Sequence, residues 1–245
     1  TARALCLLDP KTSGDVKFYN SEANEMQNLD DLSEEQVKQF RRNTQMIFQD
    51  PYESLNPRWT IKDIILEPLN IHNIGSLENR TEAVVEILKT VGLTPPENYL
   101  PRYPHELSGG QRQRVSIARS LIMNPKFVIC DEPTSMLDVS IRISIMDLML
   151  DLAKDLQVSY LYITHDLAVA RYMCNRIAVM FNGKIVEIAK TEDLLSNPIH
   201  PYTKRLISSI PVPDPKYTRV KYDLDFTELD EIISKNTDNL PMVDV

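Results

Sequence analysis

The chain has 245 residues, 42% of them hydrophobic and 25% charged, with a formal net charge of -8 at pH 7. These values are typical of globular proteins, whereas the acidic balance excludes a nucleic-acid surface and non-specific binding to anionic lipid. No apolar run approaches the roughly 20 residues that a membrane-spanning helix needs. Cys6, Cys130 and Cys174 are far apart and include no CxxC pair, which indicates a reducing compartment and no disulfide, zinc or iron–sulfur framework. The composition therefore predicts a soluble, acidic, intracellular protein.

The first sixty residues contain short elements separated by turn formers. Apolar spacing and turn residues predict, in order, a helical fragment over 1–8, a turn at 12–15, a strand over 16–19, a polar loop over 20–31 and a strand over 44–48. Ser33 and Gln36 have the spacing of a capping box, which predicts a short helix through Arg41. Two prolines and one asparagine within 50–59 predict irregular structure there.

The rest of the chain alternates helices and strands. The pattern predicts helices over 60–70 and 78–91, a strand over 127–130, a helix over 141–156, a strand over 158–163, a helix over 166–173 and a strand over 176–181. This alternation is the mark of an α/β sheet, and the mostly helical stretch of about 60–123 indicates an inserted lobe. A short helix begins at His200, and Pro211, Pro213 and Pro215 end it. The acidic tail from Asp214 is predicted to be an accessory or partly disordered segment.

A glycine pair marks one candidate binding site. Gly109 and Gly110 precede a polar run that turns apolar at Val115, and Val115, Ala118 and Ile122 share one helical face. Glycine allows a ligand to approach the backbone closely, and the free N–H groups at a helix start bind anions. The segment therefore predicts a phosphate site, with a glycine turn that merely starts a helix as the alternative.

Polar residues also follow three of the predicted strands. Asp131 and Glu132 come directly after the apolar strand 127–130, His165 follows the next strand, and Gln49 follows the strand over 44–48. Sites in open α/β sheets form at the carboxyl ends of strands. An Asp there can hold Mg²⁺, and the adjacent Glu can take a proton from an attacking water. Each residue alone could be a solvated turn or a structural side chain, but their joint occurrence predicts one phosphate site.

These motifs together resemble the ATP-binding subunits of ABC transporters, in the oligopeptide and dipeptide importer branch. The matching segments are the signature motif at 107–111, Walker B with its catalytic glutamate at 127–132, the D-loop at 135–138, the Q-loop at 49–58 and the branch's C-terminal extension at 197–215. His165 matches the switch histidine. Met136 departs from the alanine that the family more often has in the D-loop.

The resemblance implies a P-loop NTPase-type (RecA-like) α/β sheet core with an inserted helical subdomain. It implies an ATPase domain over 1–196, with its helical lobe at about 60–123, and a C-terminal extension over 197–245. The implied partners are transmembrane permease subunits, a second ATPase subunit that is identical or paralogous and, indirectly, an extracytoplasmic solute-binding protein, with no nucleic acid. The implied location is the cytoplasmic face of the cell membrane, as a peripheral subunit.

The resemblance also assigns roles to single residues. ATP and Mg²⁺ are the implied ligands: Asp131 would organise Mg²⁺, Gln49 would sense the metal and the water, Glu132 would polarise the water and His165 would contact the γ-phosphate. The residues that would close over ATP bound to the opposite subunit are Ser108, Gly109, Gly110 and Gln111, and the D-loop residue Asp138 would join them. Positioning and charge stabilisation dominate such phosphoryl transfer.

The printed sequence departs from the family in one motif. None of its six glycines fits the P-loop pattern G-x-x-x-x-G-K-[ST], and residues 1–5 resemble a segment that follows the P-loop in the family. We therefore expect an N-terminally truncated or fragmentary sequence that binds ATP poorly in its own site. In-frame translation upstream of Thr1 tests this expectation.

Two other functions compete with transport ATPase activity. A DNA-repair or chromosome-organising head of the same superfamily would split its motifs with a long coiled coil, for which the interval from Gln49 to Leu107 leaves no room. A non-hydrolysing coupling subunit would have no need of Glu132 and His165. The transported solute, whether peptide, nickel or sugar, stays open on the sequence alone.

Overall fold

The computed structural model describes residues 2–20, 25–209 and 243–244. The chain divides into two compact units, Thr1–Ile163 and Thr164–Val245. The helices and strands of the first unit are α1 (Ala2–Leu5), β1 (Lys17–Asn20), β2 (Glu25–Asn28), α2 (Glu34–Asn43), β3 (Thr44–Ile47), α3 (Pro51–Ser54), α4 (Ile61–Ile71), α5 (Leu77–Thr90), α6 (Gly109–Leu121), β4 (Phe127–Asp131), α7 (Val139–Asp155) and β5 (Ser159–Ile163). Short 3-10 turns lie at Leu29–Asp31, Pro96–Asn98 and Pro104–Glu106.

A parallel sheet forms the centre of the first unit. Its strand order is β3-β4-β5, and Phe127 at the start of β4 lies opposite Thr44 on one side and Ser159 on the other. The middle strand is an apolar run whose residues 128–130 are 0% exposed, as the sequence predicts for a buried parallel strand. Because all three strands point the same way, their carboxyl ends lie at one edge of the sheet.

The helices of the first unit confirm the predictions from apolar spacing. On α5 and just after it, Val84, Leu88 and Val91 are fully buried, and Gly92 ends the helix with φ of 75°. Helix α6 lies at the centre of the helical region, since it contacts α3, α4, α5, α7 and β3. The parallel sheet and the helical region beside it match the predicted α/β class.

Two predictions for the first sixty residues are wrong. The polar loop predicted over 20–31 contains β2, which pairs antiparallel with β1 and sets Tyr19 opposite Met26. The irregular stretch predicted over 50–59 contains α3, because Asp50 accepts a hydrogen bond from the Tyr52 N–H at 2.7 Å and Pro51 occupies the first turn. An Asp N-cap followed by Pro is a helix start, although the same residues also suit a turn.

The second unit is built around an antiparallel hairpin. Its elements are α8 (Leu167–Met173), β6 (Arg176–Phe181), β7 (Lys184–Lys190), α9 (Thr191–Ser196), α10 (Pro201–Ser208) and β8 (Val243–Asp244). Strands β6 and β7 join through Asn182 and Gly183, with φ of 47° and 77°. The expectation that 176–181 continues the α/β sheet is therefore wrong, and β7 is a strand that the sequence reasoning missed.

Helix α10 begins at Pro201 with His200 as its N-cap, which confirms the predicted helix start. The imidazole Nδ1 of His200 accepts the Tyr202 N–H at 3.1 Å and so caps the helix. The fully buried carboxylate of Glu187 accepts the N–H groups of Ile199 at 2.9 Å and of His200 at 3.0 Å. The three prolines predicted to end this helix, and most of the acidic tail, lie outside the described residues.

Among the helices of the described residues, none combines the length and apolarity needed to cross a bilayer.

Candidate functional site

Strand β4 ends in a backbone turn at Glu132 that hydrogen bonds fix through both its N–H and its carbonyl. Asp131 is the last residue of the strand, and the next N–H, that of Glu132, still bonds the Ile163 carbonyl at 3.0 Å. Glu132 then adopts φ of 44°, in the left-handed region that costs a non-glycine residue about 1–2 kcal/mol. Its carbonyl accepts hydrogen bonds from the Ser135 N–H at 3.1 Å and the Ser135 hydroxyl at 3.0 Å. Strain that the surroundings hold in place is typical of functional positions.

The neighbouring strand brings Gln49 to the same place. Gln49 lies two residues beyond the end of β3, and its Nε2 donates to Glu132 Oε2 at 3.1 Å. The predicted meeting of these two polar groups at the strand ends is thus present. Since the amide nitrogen faces Glu132, the amide oxygen remains the acceptor that Gln49 can offer to a ligand.

The segment 107–111, which contains the glycine pair, begins helix α6 with a capping box that the sequence reasoning missed. The Ser108 hydroxyl accepts the Gln111 N–H at 3.3 Å, and the Gln111 side-chain oxygen accepts the Ser108 N–H at 3.0 Å. The Arg112 N–H bonds the Ser108 carbonyl as the first helical hydrogen bond. Within the helix start, Gly109 and Gly110 therefore carry the N–H groups that helix geometry leaves for a ligand.

The two glycines also lie against the segment that resembles the D-loop. A Cβ on Gly109 would be 3.5 Å from Leu137 Cδ2, whereas a Cβ on Gly110 would be 2.6 Å from Ile141 Cγ2. Only glycine at the second position lets α6 approach α7 this closely. Asp138 lies between these contacts, at the N-cap position of α7, where its carboxylate makes no capping hydrogen bond to the described residues.

Arg112 is a residue of this region that the sequence reasoning did not single out. It is 8% exposed, and its Nε donates to the Pro104 carbonyl at 2.5 Å. Its guanidinium carbon lies 3.9 Å from the centre of the Tyr52 ring. A charged side chain inside a polar run gives no periodic signal, so only the structure reveals this burial.

Two further arginines of α6 bind backbone carbonyls of neighbouring elements. Arg119 Nη1 donates to the Ser54 carbonyl at the end of α3 at 2.6 Å, and burial lowers the pKa of this guanidinium. Arg114 Nη1 donates to the Val91 carbonyl at 2.5 Å and its Nη2 to the Ser144 hydroxyl at 2.9 Å. Helix α6 is therefore fixed by charged hydrogen bonds to α3, to the end of α5 and to α7.

The remaining predicted residue, His165, belongs to the second unit. It lies in the turn between β5 and α8, where the Asp166 N–H bonds the Thr164 hydroxyl at 3.0 Å and Asp166 caps α8. Its side chain is exposed. Within the first unit, the structure brings Gln49 to Glu132 and brings residues 109–110 to residues 137–141.

Comparison with solved structures defines the class of this fold. The dimeric ATP-binding cassette MJ0796, a bacterial ABC transporter cassette, superposes with a TM-score of 0.65 at 31% identity, over 78% of each chain. A post-hydrolysis dimer of the same cassette with ADP and Pi gives a TM-score of 0.64 over the same share. The fold is that of an ABC ATPase, which confirms the predicted P-loop NTPase-type class.

The sequence places the chain within that class. Residues 1–135 match the ABC transporter family, and residues 186–229 match the C-terminal region of oligopeptide and dipeptide transporters. The chain belongs to the ABC transporter family and is an ATPase of that family.

Curated relatives agree with this assignment. The chain is 47% identical over 228 residues to the oligopeptide transport ATP-binding protein OppF of Bacillus subtilis, covering 91% of this chain and 72% of OppF. It is 48% identical to AmiF, an oligopeptide transport ATP-binding protein of Streptococcus pneumoniae, covering 89% and 69%. It is also 42% identical to the glutathione import ATP-binding protein GsiA of Salmonella paratyphi A, covering 99% of this chain and 38% of GsiA.

The residues at the strand ends fit the metal that this class implies. Asp131 and Glu132 provide carboxylate oxygens, and Gln49 provides an amide oxygen. No group of three or more His, Cys, Asp or Glu side chains suited to a metal occurs within 2–20, 25–209 and 243–244. A site with few protein ligands suits Mg²⁺, which keeps several waters and binds substrate phosphates, better than it suits a fully protein-coordinated Zn²⁺.

Proposed function

We propose that this protein hydrolyses ATP to drive an importer of oligopeptides or dipeptides, with ATP bound between two ATPase subunits. The observation that carries the proposal is the hydrogen bond between Gln49 Nε2 and Glu132 Oε2 at the carboxyl ends of neighbouring parallel strands. It joins a carboxylate able to accept a proton to an amide whose oxygen can face a metal or water. The strained backbone of Glu132 supports a chemical role for that carboxylate.

Each predicted residue has one role in this proposal. Glu132 accepts the proton of the attacking water, and His165 contacts the γ-phosphate. Asp131 and the amide oxygen of Gln49 hold Mg²⁺, which when bound neutralises charge on the phosphates. The carboxylate of Glu132 has a fixed backbone and a fixed hydrogen-bond partner, so little reorganisation is needed before it acts.

The loop at the start of α6 serves the nucleotide of the second ATPase subunit. The N–H groups of Gly109 and Gly110 lie at the positive end of a helix, where they suit phosphate oxygens. Ser108 and Gln111 shape the loop through their capping box and contact the same nucleotide, as does Asp138 beside them. The close approach of the glycines to residues 137–141 supports a shared role of the two segments at this nucleotide.

The assignment of solute and partners rests on similarity. The names of OppF and AmiF and the match over 186–229 favour oligopeptides or dipeptides, and GsiA extends the range to glutathione. The proposed partners are permease subunits, a second ATPase subunit and, indirectly, a solute-binding protein. The proposed location is peripheral, on the cytoplasmic face of the membrane. The proposed domains are an ATPase domain over 1–196, which includes the helical lobe at about 60–123, and an importer-specific extension over 197–245.

The central test is ATP hydrolysis by the assembled transporter. Because the 245 residues contain no G-x-x-x-x-G-K-[ST] pattern, the protein is expressed from its complete reading frame and reconstituted with its permease and partner ATPase. Glu132→Gln should lower kcat at least about 100-fold while ATP still binds, since general-base catalysis contributes roughly 10²–10⁴-fold. Glu86→Gln, at an exposed carboxylate that pairs with Lys89, is the matched control and should hydrolyse normally.

Two results would contradict the proposal at different levels. Hydrolysis by the Glu132→Gln complex at the parent rate would refute the role of this carboxylate. A complex that hydrolyses ATP but accumulates labelled nickel or sugar, and no labelled di- or oligopeptide, would refute only the solute.

A further inference from the structure

The guanidinium of Arg112 joins the two segments that hold the predicted nucleotide residues. Its Nε binds the Pro104 carbonyl at 2.5 Å and its Nη2 the His105 carbonyl at 3.4 Å, in the 3-10 turn that leads into the signature loop at 107–111. Arg112 is itself the residue after that loop. The Arg112 side chain therefore binds the segment before the signature loop, while its backbone directly follows the end of that loop.

The same guanidinium stacks on the turn that follows Gln49. Tyr52 belongs to α3, whose first N–H groups are capped by Asp50, the residue next to Gln49. The Tyr52 ring lies 3.9 Å from the Arg112 guanidinium carbon, and the tyrosine is nevertheless 59% exposed. Arg119 holds the other end of this turn through the Ser54 carbonyl. A movement of the turn that follows Gln49 would therefore displace side chains that belong to α6.

Burial of the Arg112 guanidinium strengthens its stack on Tyr52. Arg112 is 8% exposed, and its Nη1 is buried with no hydrogen-bond partner among the described residues. A cation over an aromatic face gains most where water is excluded. The Tyr52 ring is thus a main compensation for the part of the guanidinium that lacks a hydrogen bond.

We propose that Arg112 is a positioning residue which, through its stack on Tyr52, couples the turn after Gln49 to the signature loop. This proposal rests on the proposed ATPase function. A displacement of Gln49 at one nucleotide site would reach residues 108–111, which serve the other site, through Tyr52 and Arg112. The coupling uses packed side chains within one chain and needs no further element.

The test changes the exposed partner, because Arg112 is buried and its replacement could unfold the protein. In the reconstituted transporter, Tyr52→Leu keeps apolar bulk but removes the aromatic face, and Tyr52→Phe keeps the face. We expect Tyr52→Leu to lower kcat about 3- to 10-fold with KM for ATP within two-fold, and Tyr52→Phe to match the parent. Hydrogen exchange at the amides of residues 109–111 should accelerate in Tyr52→Leu alone.

Tyr103→Leu is the matched control, since this partly exposed tyrosine stacks on His105, with ring centroids 5.7 Å apart, rather than on Arg112. It should leave kcat and the exchange at 109–111 unchanged. Equal behaviour of Tyr52→Leu and Tyr52→Phe in both measurements would overturn the proposal, as would an equal effect of Tyr103→Leu. Because Glu132→Gln is run in parallel, loss of the coupling is distinguishable from failure of the ATPase assignment.

Discussion

Replacement of Gly110 by alanine tests whether this glycine is required by helix packing. The added Cβ would lie 2.6 Å from Ile141 Cγ2, about 1 Å inside the roughly 3.5–4.0 Å at which carbon atoms attract. Overpacking of this kind costs about 1–3 kcal/mol, whereas alanine gains at most about 1 kcal/mol over glycine from helix propensity. We therefore expect Gly110→Ala to lower the free energy of unfolding by about 1–2 kcal/mol.

A double-mutant cycle isolates the contact. Ile141→Ala removes Cγ2 and leaves a Cβ at 3.9 Å, so the double variant Gly110→Ala/Ile141→Ala should recover about 1–2 kcal/mol relative to additivity. Gly109→Ala is the matched control, because its Cβ would meet Leu137 at an ordinary 3.5 Å and its stability should be unchanged or slightly higher. Urea unfolding measures all four variants. Equal stability of Gly109→Ala and Gly110→Ala, or simple additivity in the cycle, would refute the packing argument.

Three further predictions concern local structure. Glu132→Gly should be about 1 kcal/mol more stable to urea than Glu132→Ala, the reverse of the usual order, because the backbone of residue 132 has a φ of 44° that favours glycine. An alanine variant of equal or greater stability would contradict the backbone strain at this position. Burial lowers the pKa of His200 below its usual 6.5 and outweighs the opposing effect of Glu187, so the thermal stability of the protein should fall as the pH drops below 6.5. His200→Asn keeps a capping side chain that does not titrate and should lose this pH dependence. A variant with the pH profile of the parent would argue against titration of His200 as the cause. Ser33→Ala should cost about 1 kcal/mol in urea unfolding, and no loss would mean that the capping box is not stabilising.

Local signals with a physical mechanism could be predicted from the sequence. The capping box of α2 and the buried face of α5 depend on hydrogen bonds and spacing within one helix, and both are present. Tertiary context decided the failures. Strand β2 is polar, and its pairing with β1 gives no apolar alternation to detect. The Asn182-Gly183 pair is a hairpin signal that the sequence prediction overlooked, and the strand before it was assigned to the main sheet because strand and helix had alternated up to that point.

The candidate site also has features that the sequence could predict and features that only tertiary contacts determine. Gln49 and Glu132 could be expected to meet, because neighbouring parallel strands end at one edge of a sheet, and the hydrogen bond of 3.1 Å joins them. The strain at Glu132 and the stack of Arg112 on Tyr52 could not be expected, since both depend on contacts between residues far apart in the chain.

Gly110 shows why a motif glycine needs two separate explanations. Ligand approach and helix packing both exclude a side chain there, and a loss of ATPase activity in Gly110→Ala would not distinguish between them. The Ile141→Ala background removes the packing conflict and leaves the ligand conflict intact. If stability returns in the double variant while hydrolysis does not, the glycine serves the nucleotide as well as the fold. If both return, the glycine is needed at this position because α6 lies against α7, and the N–H groups of the loop tolerate a methyl group beside the phosphate.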